Sequence, residues 1–317
     1  MQQDEEVGLP VRAGLAATGL YLALRQIGRE ELQDAFMQET VARVPAQERI
    51  VHVARDGVGW APRATAPVGI IFHVARCGST LLSQSLKRLD RMVVYAEPQP
   101  VNEILAPPHK WPRADLVAAL RTLGGAFARH AHGPYVLKLS SWNTLYCDIV
   151  AEAFPETPWV LSLRDPVEVG VSLLASPPGW FQGTAEAARG LVAQVDPGGA
   201  AKSREEFIAR AYAAFCAAAA KLDVNRGRLV PYESLPAAVW RVVAPHFSLS
   251  VDPAQRDRIA EAARRHAKAP VGTVAEFTSD AAAKQDAAST ELRLAIDSLA
   301  SPQLARLMQL HADTMRR

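Results

Sequence analysis

From Pro67 onward the chain alternates short, continuously apolar runs with longer stretches of helical periodicity, and this alternation constrains the fold more than any other feature. The apolar runs cover 68–74, 92–96, 135–139, 159–163 and 228–231, and helical stretches fill the gaps at 80–89, 114–130, 146–154, 166–174 and 204–222. Runs that are apolar at every position have no solvent face, so they fit a parallel sheet covered on both sides. Strand–helix alternation produces that layering. The expected fold class is therefore α/β, three-layered, with a central parallel sheet flanked by helices. Residues 1–66 precede the pattern as an N-terminal extension with one helix at 29–43, an extended piece at 49–53 and a linker at 60–67. Residues 67–317 form the α/β domain, with a long loop and small helical insert at 176–199, a capping box at Ser203 and Glu206, and a helical C-terminus rich in Ala and Arg.

Composition removes several classes. The chain has 317 residues, 49% hydrophobic and 21% charged, enough to bury a core without staples. Lys+Arg 35 against Asp+Glu 33 leaves +2, mixed along the chain, which excludes gripping nucleic acid by bulk charge. The three cysteines, Cys77, Cys147 and Cys216, lie far apart, and no CxxC, HExxH or zinc-type Cys/His spacing occurs. They read as reduced thiols, and no metal is expected. Residues 2–6 are acidic where a secretory leader is basic. The apolar stretch at 15–24 is broken by Gly19, so no membrane span is expected and the expected location is cytoplasmic.

Ligands on such sheets sit at the carboxyl ends of the strands. The first strand, Gly69 to Val74, runs into Ala75-Arg76-Cys77-Gly78-Ser79-Thr80 and then a helix whose inward stripe is Leu81, Leu82, Leu86 and Leu89. Ser79 reads as its N-cap. Orphan N–H groups and the positive helix end at such a turn suit a phosphate, and Arg76, Ser79 and Thr80 add charge and hydroxyls. The Walker pattern GxxxxGK[ST] is absent, because no Lys follows Gly78, and HCx5R fails as well. An ordinary strand-to-helix turn with a surface Arg is the alternative.

A second anion site is legible after the strand at 159–163. Asp165 as N-cap, Pro166 at the first helical position and Glu168 in the first turn open a helix. Arg164 stands at the strand end, and Ser172, nearly two turns beyond the cap, falls on the cap's stripe. Arg164 and Ser172 converge on one small anion, or else Arg164 pairs with Asp165 or Glu168 and Ser172 only packs.

Together these residues resemble the sulfotransferases. Arg76-Cys77-Gly78-Ser79-Thr80-Leu81-Leu82 is similar to the 5′-phosphosulfate loop of that family, and Arg164-Asp165-Pro166 with Ser172 is similar to its 3′-phosphate motif. Tyr232-Glu233-Ser234-Leu235 is similar to the short YE-x-L turn after a later strand, and the resemblance covers about residues 68 to 240. It implies a P-loop-like fold, 3′-phosphoadenylyl sulfate (PAPS) as donor, the 3′,5′-bisphosphate (PAP) as product, and in-line transfer to a hydroxyl or amine with no metal. Small-molecule sulfotransferases place a His two residues after a Lys on the third strand. Here Lys138 is followed by Leu139-Ser140, and the first loop carries Arg76 in place of that subtype's Lys. Both departures resemble the tyrosylprotein-sulfotransferase branch, in which a glutamate after the second strand is the base. Glu97 occupies that place, while Cys77 stands where the branch has Ser.

The resemblance implies Glu97 as general base, Lys138 beside the bridging oxygen and Arg76 on the sulfuryl oxygens. Cys77, Gly78, Ser79, Thr80, Arg164, Ser172 and Tyr232 bind the donor. Each role has a plain alternative: a Glu97–Arg76 ion pair closing the strand end, a snorkelling Lys138, hydroxyls that only cap, and a Tyr232 that fills a gap. Ser140 and Ser141 beside Lys138, and Trp180 and Phe181 in the Pro/Gly loop, either line the acceptor pocket or anchor the chain. His73 reads as a core residue, His130 and His132 as cations at a helix end, and Cys77 as packing. The acceptor is a small molecule, carbohydrate or peptide, and residues 1–66 either cover its pocket or mediate a homodimer. The competing functions are a small-molecule P-loop kinase using ATP and Mg²⁺, and a catalytically silent nucleotide-binding protein.

Overall fold

The computed structural model describes residues 8–54, 66–107, 111–182, 186–263 and 280–315. The chain opens with β1 (Leu9–Ala16), β2 (Gly19–Arg25), α1 (Met37–Arg43) and β3 (Glu48–Ala54), and continues with β4 (Gly69–His73) and α2 (Ser79–Leu86). Next come β5 (Val93–Ala96), α3 (Gln99–Leu105), α4 (Arg113–Ala131), β6 (Tyr135–Lys138), α5 (Cys147–Ala153), β7 (Trp159–Leu163), α6 (Pro166–Ala175), α7 (Glu186–Val195) and α8 (Arg204–Ala219). The remaining elements are β8 (Gly227–Pro231), α9 (Ala244–His246), α10 (Pro253–Ala263), α11 (Ala281–Ala287), α12 (Thr290–Ala295) and α13 (Ser301–Met315).

Strands β4 to β8 form a parallel sheet in the order β5-β6-β4-β7-β8. Both faces are dry. Ile71, Val94, Val136, Val160 and Val230 point to one side, against Leu82 and Leu86 of α2 and Val239, Val243 and Phe247. Ile70, Phe72, Tyr95, Leu137 and Leu161 point to the other, into a core shared with α4, α5, α8 and α13. Period-2 alternation with apolar residues on both faces makes these strands continuously hydrophobic. The protein is thus an α/β chain with a helix-flanked central parallel sheet.

The N-terminal extension adds an element the sequence left unassigned and corrects one expectation. The stretch at 9–25 is an antiparallel hairpin that β3 joins as a third strand, in the order β1-β2-β3. Leu20, Leu22 and Leu24 are buried on β2, and Gly19 takes φ +145° at the turn. This sheet packs on α3 and α4, where Glu103 accepts from the Arg12 side chain and the Ala13 N–H. The helix expected at 29–43 forms only as a 3₁₀ turn over Arg29–Glu31 and as α1. Asp34 is drawn inward to accept from Thr40 Oγ1 at 2.7 Å and Arg43 Nη2 at 3.0 Å, which diverts the chain between the two pieces. The linker expected at 60–67 lies outside the described residues except for its last two positions.

Candidate active site

The loop between β4 and α2 is built around a left-handed glycine. Gly78, at φ +81°, is the N-cap of α2, and Ser79 is the first helical residue, which corrects the assignment of Ser79 as cap. A side chain at 78 has no room: a Cβ there would lie 2.6 Å from the ring of Tyr232. The first helical bond is Leu82 N–H to Gly78 O at 3.0 Å, so the N–H groups before it have no intrahelical partner. Ser79 and Thr80 are buried at the helix start. Leu82, Leu86 and Leu89 form the inward stripe as expected, but Leu81 is only half-buried and borders a cleft.

Arg164 follows β7, next to β4 in the sheet, and two hydroxyls tie the neighbouring strand ends: Ser162 donates to Cys77 O at 3.1 Å and Tyr212 to Arg164 O at 2.8 Å. Asp165 caps α6 by accepting from Val167 N–H at 2.9 Å and Glu168 N–H at 3.1 Å. The Arg164 guanidinium lies 4.1 Å from the Tyr232 ring centroid, a cation–π contact. It donates to Glu168 at 2.6 Å and to Asp280 at 2.7 Å, which outweigh burial and raise its pKa. Tyr232 therefore touches both Gly78 and Arg164. The cleft here, about 400 Å³, is bordered by Leu81, Arg164, Glu168, Tyr232 and Ala281. Ser172 is half-buried farther along α6 and is not among the residues lining it.

Arg76, at φ +56°, sends its guanidinium to the far end of the same helix, donating to Ser176 O at 2.6 Å and Ser176 Oγ at 2.9 Å. The two arginines thus meet opposite ends of α6, roughly 15 Å apart by helical rise. The alternative Glu97–Arg76 pair does not form, since Arg76 is on Ser176 and Glu97 on Lys138.

Glu97 instead faces Lys138. Parallel register sets Ala96 beside Lys138, and Glu97 N–H donates back to Lys138 O at 2.6 Å. Lys138 Nζ donates to the Glu97 carboxylate, and Lys138 is fully buried, so the snorkelling alternative is excluded. Glu97 holds φ +53°, which a residue with a side chain adopts at a cost of about 1–3 kcal/mol. Burial pushes its carboxyl up, but Lys138 and His73 prevail and hold it well below the usual carboxylate range.

The sequence assigns two neighbours of this pair other places, His73 in the core and Cys77 as a donor contact or packing residue. His73 is buried, with Nε2 2.9 Å from Leu139 O and 3.7 Å from Glu97 Oε1. Its signal was a single polar residue ending an apolar strand. Cys77 lies against the same ring. Burial raises Cys147 and Cys216 to about 12, whereas at Cys77 burial is outweighed by His73, Ser162 and the Ser79 backbone, and the thiol falls below its ordinary value. Phe36, from the N-terminal extension, places its ring 5.1 Å from Lys138 Nζ. Two residues on, Gln38 Nε2 donates to Gln99 Oε1 at 2.6 Å. No local motif announces Phe36.

Other candidates settle elsewhere. Ser140 and Ser141 are buried, with Ser140 N–H donating to Asn143 Oδ1 at 2.9 Å. Trp180 and Phe181 form an aromatic cluster with Phe207 and Phe215 of α8, which anchors their loop. His130 is no exposed helix-end cation: it is buried, 2.8 Å from Tyr95 Oη and 2.7 Å from Ile27 O, and burial lowers its pKa. His132 takes φ +49° as the C-cap of α4. Among the described residues no group of three or more His, Cys, Asp or Glu is placed to hold a metal ion, and no helix is long and apolar enough to cross a membrane.

No family profile and no curated protein matches the chain. Among solved structures it is similar to the sulfotransferase domain of the Synechococcus PCC 7002 olefin synthase, at 15% identity over 77% of this chain and 98% of that one, TM-score 0.46. It is also similar to a sulfotransferase from Alicyclobacillus acidocaldarius, at 15% identity over 80% and 100% of the two chains, TM-score 0.41. A third likeness is to sulfotransferase STF9 from Mycobacterium avium, at 12% identity over 63% and 68%, TM-score 0.42.

Proposed function

We propose that the chain is a sulfotransferase that moves a sulfuryl group from PAPS to a hydroxyl or amine of a small-molecule, carbohydrate or peptide acceptor. The observation that carries this reading is the Tyr232 ring, which meets Gly78 and Arg164 together and so joins the two anion sites into one edge. A nucleotide phosphorylated at both ends of its ribose needs two such sites, one at the start of α2 and one at Arg164.

In this reading the N–H groups at the start of α2 hold the 5′-phosphosulfate, with Ser79 and Thr80 beside them, and Arg164 takes the 3′-phosphate. Swinging Arg76 from Ser176 toward the sulfuryl oxygens gives them a guanidinium donor. The acceptor oxygen or nitrogen attacks sulfur, and the bond from sulfur to the bridging oxygen breaks. Its electron pair leaves on the 5′-phosphate of PAP, and the acceptor proton passes to Glu97.

The Lys138–Glu97 pair gives that transfer its timing. While Lys138 holds the carboxylate, Glu97 is ionised but a weak base. As negative charge builds on the leaving phosphate, Lys138 is drawn to it, and Glu97, losing its cation, gains proton affinity when the acceptor proton must leave. The test is mass spectrometry of acceptor mixtures incubated with donor carrying isotopically labelled sulfate. A mass-shifted sulfated product dependent on Glu97 supports the reading. Donor binding without transfer across a broad panel favours a silent nucleotide-binding protein, and magnesium-dependent consumption of ATP favours a kinase.

A further inference from the structure

At the rim of the Arg164 cleft, Asp280 has each carboxylate oxygen on a different cation. Oδ1 accepts from Arg164 Nη2 at 2.7 Å and Oδ2 lies 2.7 Å from Lys284 Nζ. The second carboxylate on Arg164 is different in kind. Glu168 is one turn along from Arg164, its side chain is 12% exposed, and its contact to Nε is set by α6, so it orients the guanidinium. Asp280 is 50% exposed and comes from a distant part of the chain. The Lys284 side chain is only 15% exposed, so its ammonium is held at this rim. Both cations are already paired with carboxylates, and Asp165 and Glu233 also border the cleft, so a dianion entering it meets no free cation unless Asp280 leaves.

We infer that Asp280 is an intramolecular stand-in for the 3′-phosphate, and that Lys284 is a second cation of that subsite beside Arg164. The inference rests on the nucleotide reading above. A carboxylate that bridges two cations through separate oxygens occupies positions that two oxygens of a tetrahedral phosphate take equally well. The phosphate adds charge and a third oxygen, so it displaces Asp280, while Glu168 stays to hold Arg164 in place. Ligands lacking the 3′-phosphate have nothing to exchange for Asp280. The device therefore selects for a nucleotide phosphorylated at that position.

Calorimetric titration of the full chain with PAP and with AMP tests this, using wild type, Asp280→Asn and Lys284→Met. Asp280 makes no side-chain hydrogen bond as the N-cap of α11, so asparagine spares the helix start. The half-exposed ion pairs of Asp280 are individually weak, so Asp280→Asn tightens PAP roughly three- to tenfold and leaves AMP within about twofold. Lys284→Met weakens PAP by about tenfold, the loss of one charge-assisted bond, and again spares AMP. A wild type that prefers PAP while Asp280→Asn leaves PAP affinity unchanged or weakened overturns the stand-in and keeps the nucleotide reading. Equal effects of either variant on PAP and AMP also overturn it. A wild type that binds AMP as tightly as PAP removes both.

Discussion

The two halves of the candidate site are built in opposite ways. Around Arg164 the charges border an open cleft of about 400 Å³, and the guanidinium rests on Tyr232 with a half-exposed Asp280 across it. Around Glu97 the charges are packed: Lys138 is fully buried, His73 nearly so, and Phe36 covers the ammonium. An open cluster exchanges partners at little cost, whereas a buried pair strongly resists loss of one member. The first arrangement suits binding and release, the second suits holding a proton acceptor in one geometry.

The largest effects should come from breaking the packed half. Glu97→Gln is expected to lower kcat by about 10²–10⁴-fold while keeping the PAP-induced rise in Tm. Retained turnover would take the base role from Glu97. Lys138→Met leaves a carboxylate without its cation, and the expected loss of stability approaches 3 kcal/mol, with turnover falling along with it. Denaturant unfolding reads the first and single-turnover assays the second. In the open half, Tyr232→Ala removes the cation–π contact, worth about 0.5–2 kcal/mol. PAP affinity should drop between about twofold and thirtyfold, with Tm shifted little. A large fall in Tm with unchanged PAP affinity would make Tyr232 a packing residue.

Much of this division was legible in the sequence. Positions at strand ends inherit their placement from the alternation of strands and helices, so Glu97, Lys138, Arg164 and the glycine turn at 78 all lie on one edge. Partners from far along the chain were not legible. Phe36 reaches Lys138 from the extension, and Asp280 reaches Arg164 across more than a hundred residues. Neither contact follows from local periodicity. The hairpin at 9–25 was missed because a few alternating residues with small ones between them do not distinguish a strand from a short apolar run. Ser79 was misplaced as cap because the tight approach of Tyr232 demands a glycine there, and that neighbour is invisible in a local string.

Smaller effects sharpen the contrast. Burial lowers the pKa of His130, His246 and His311. Their protons bind more readily in the unfolded chain, so the stability they contribute is present above about pH 6.5 and declines as pH falls below it. Tm should fall as pH is lowered from about 7.5 to 5.5, and a Tm that rises over this window would contradict the burial of these rings. His73 is moved the other way: burial and Lys138 lower it, but Cys77 and Glu97 prevail and raise it. Phe36→Ala should cost about 1 kcal/mol of stability through the lost contact with Lys138 and leave PAP affinity unaltered, as calorimetry would show.

The most direct measurement is a crystal structure of the protein with PAP bound. The account predicts one nucleotide lying along this edge, its 5′-phosphate on the backbone N–H groups of residues 78–80 and its 3′-phosphate within hydrogen-bond distance of the Arg164 guanidinium. A nucleotide held by only one of the two, or seated away from the carboxyl ends of β4 and β7, would contradict it.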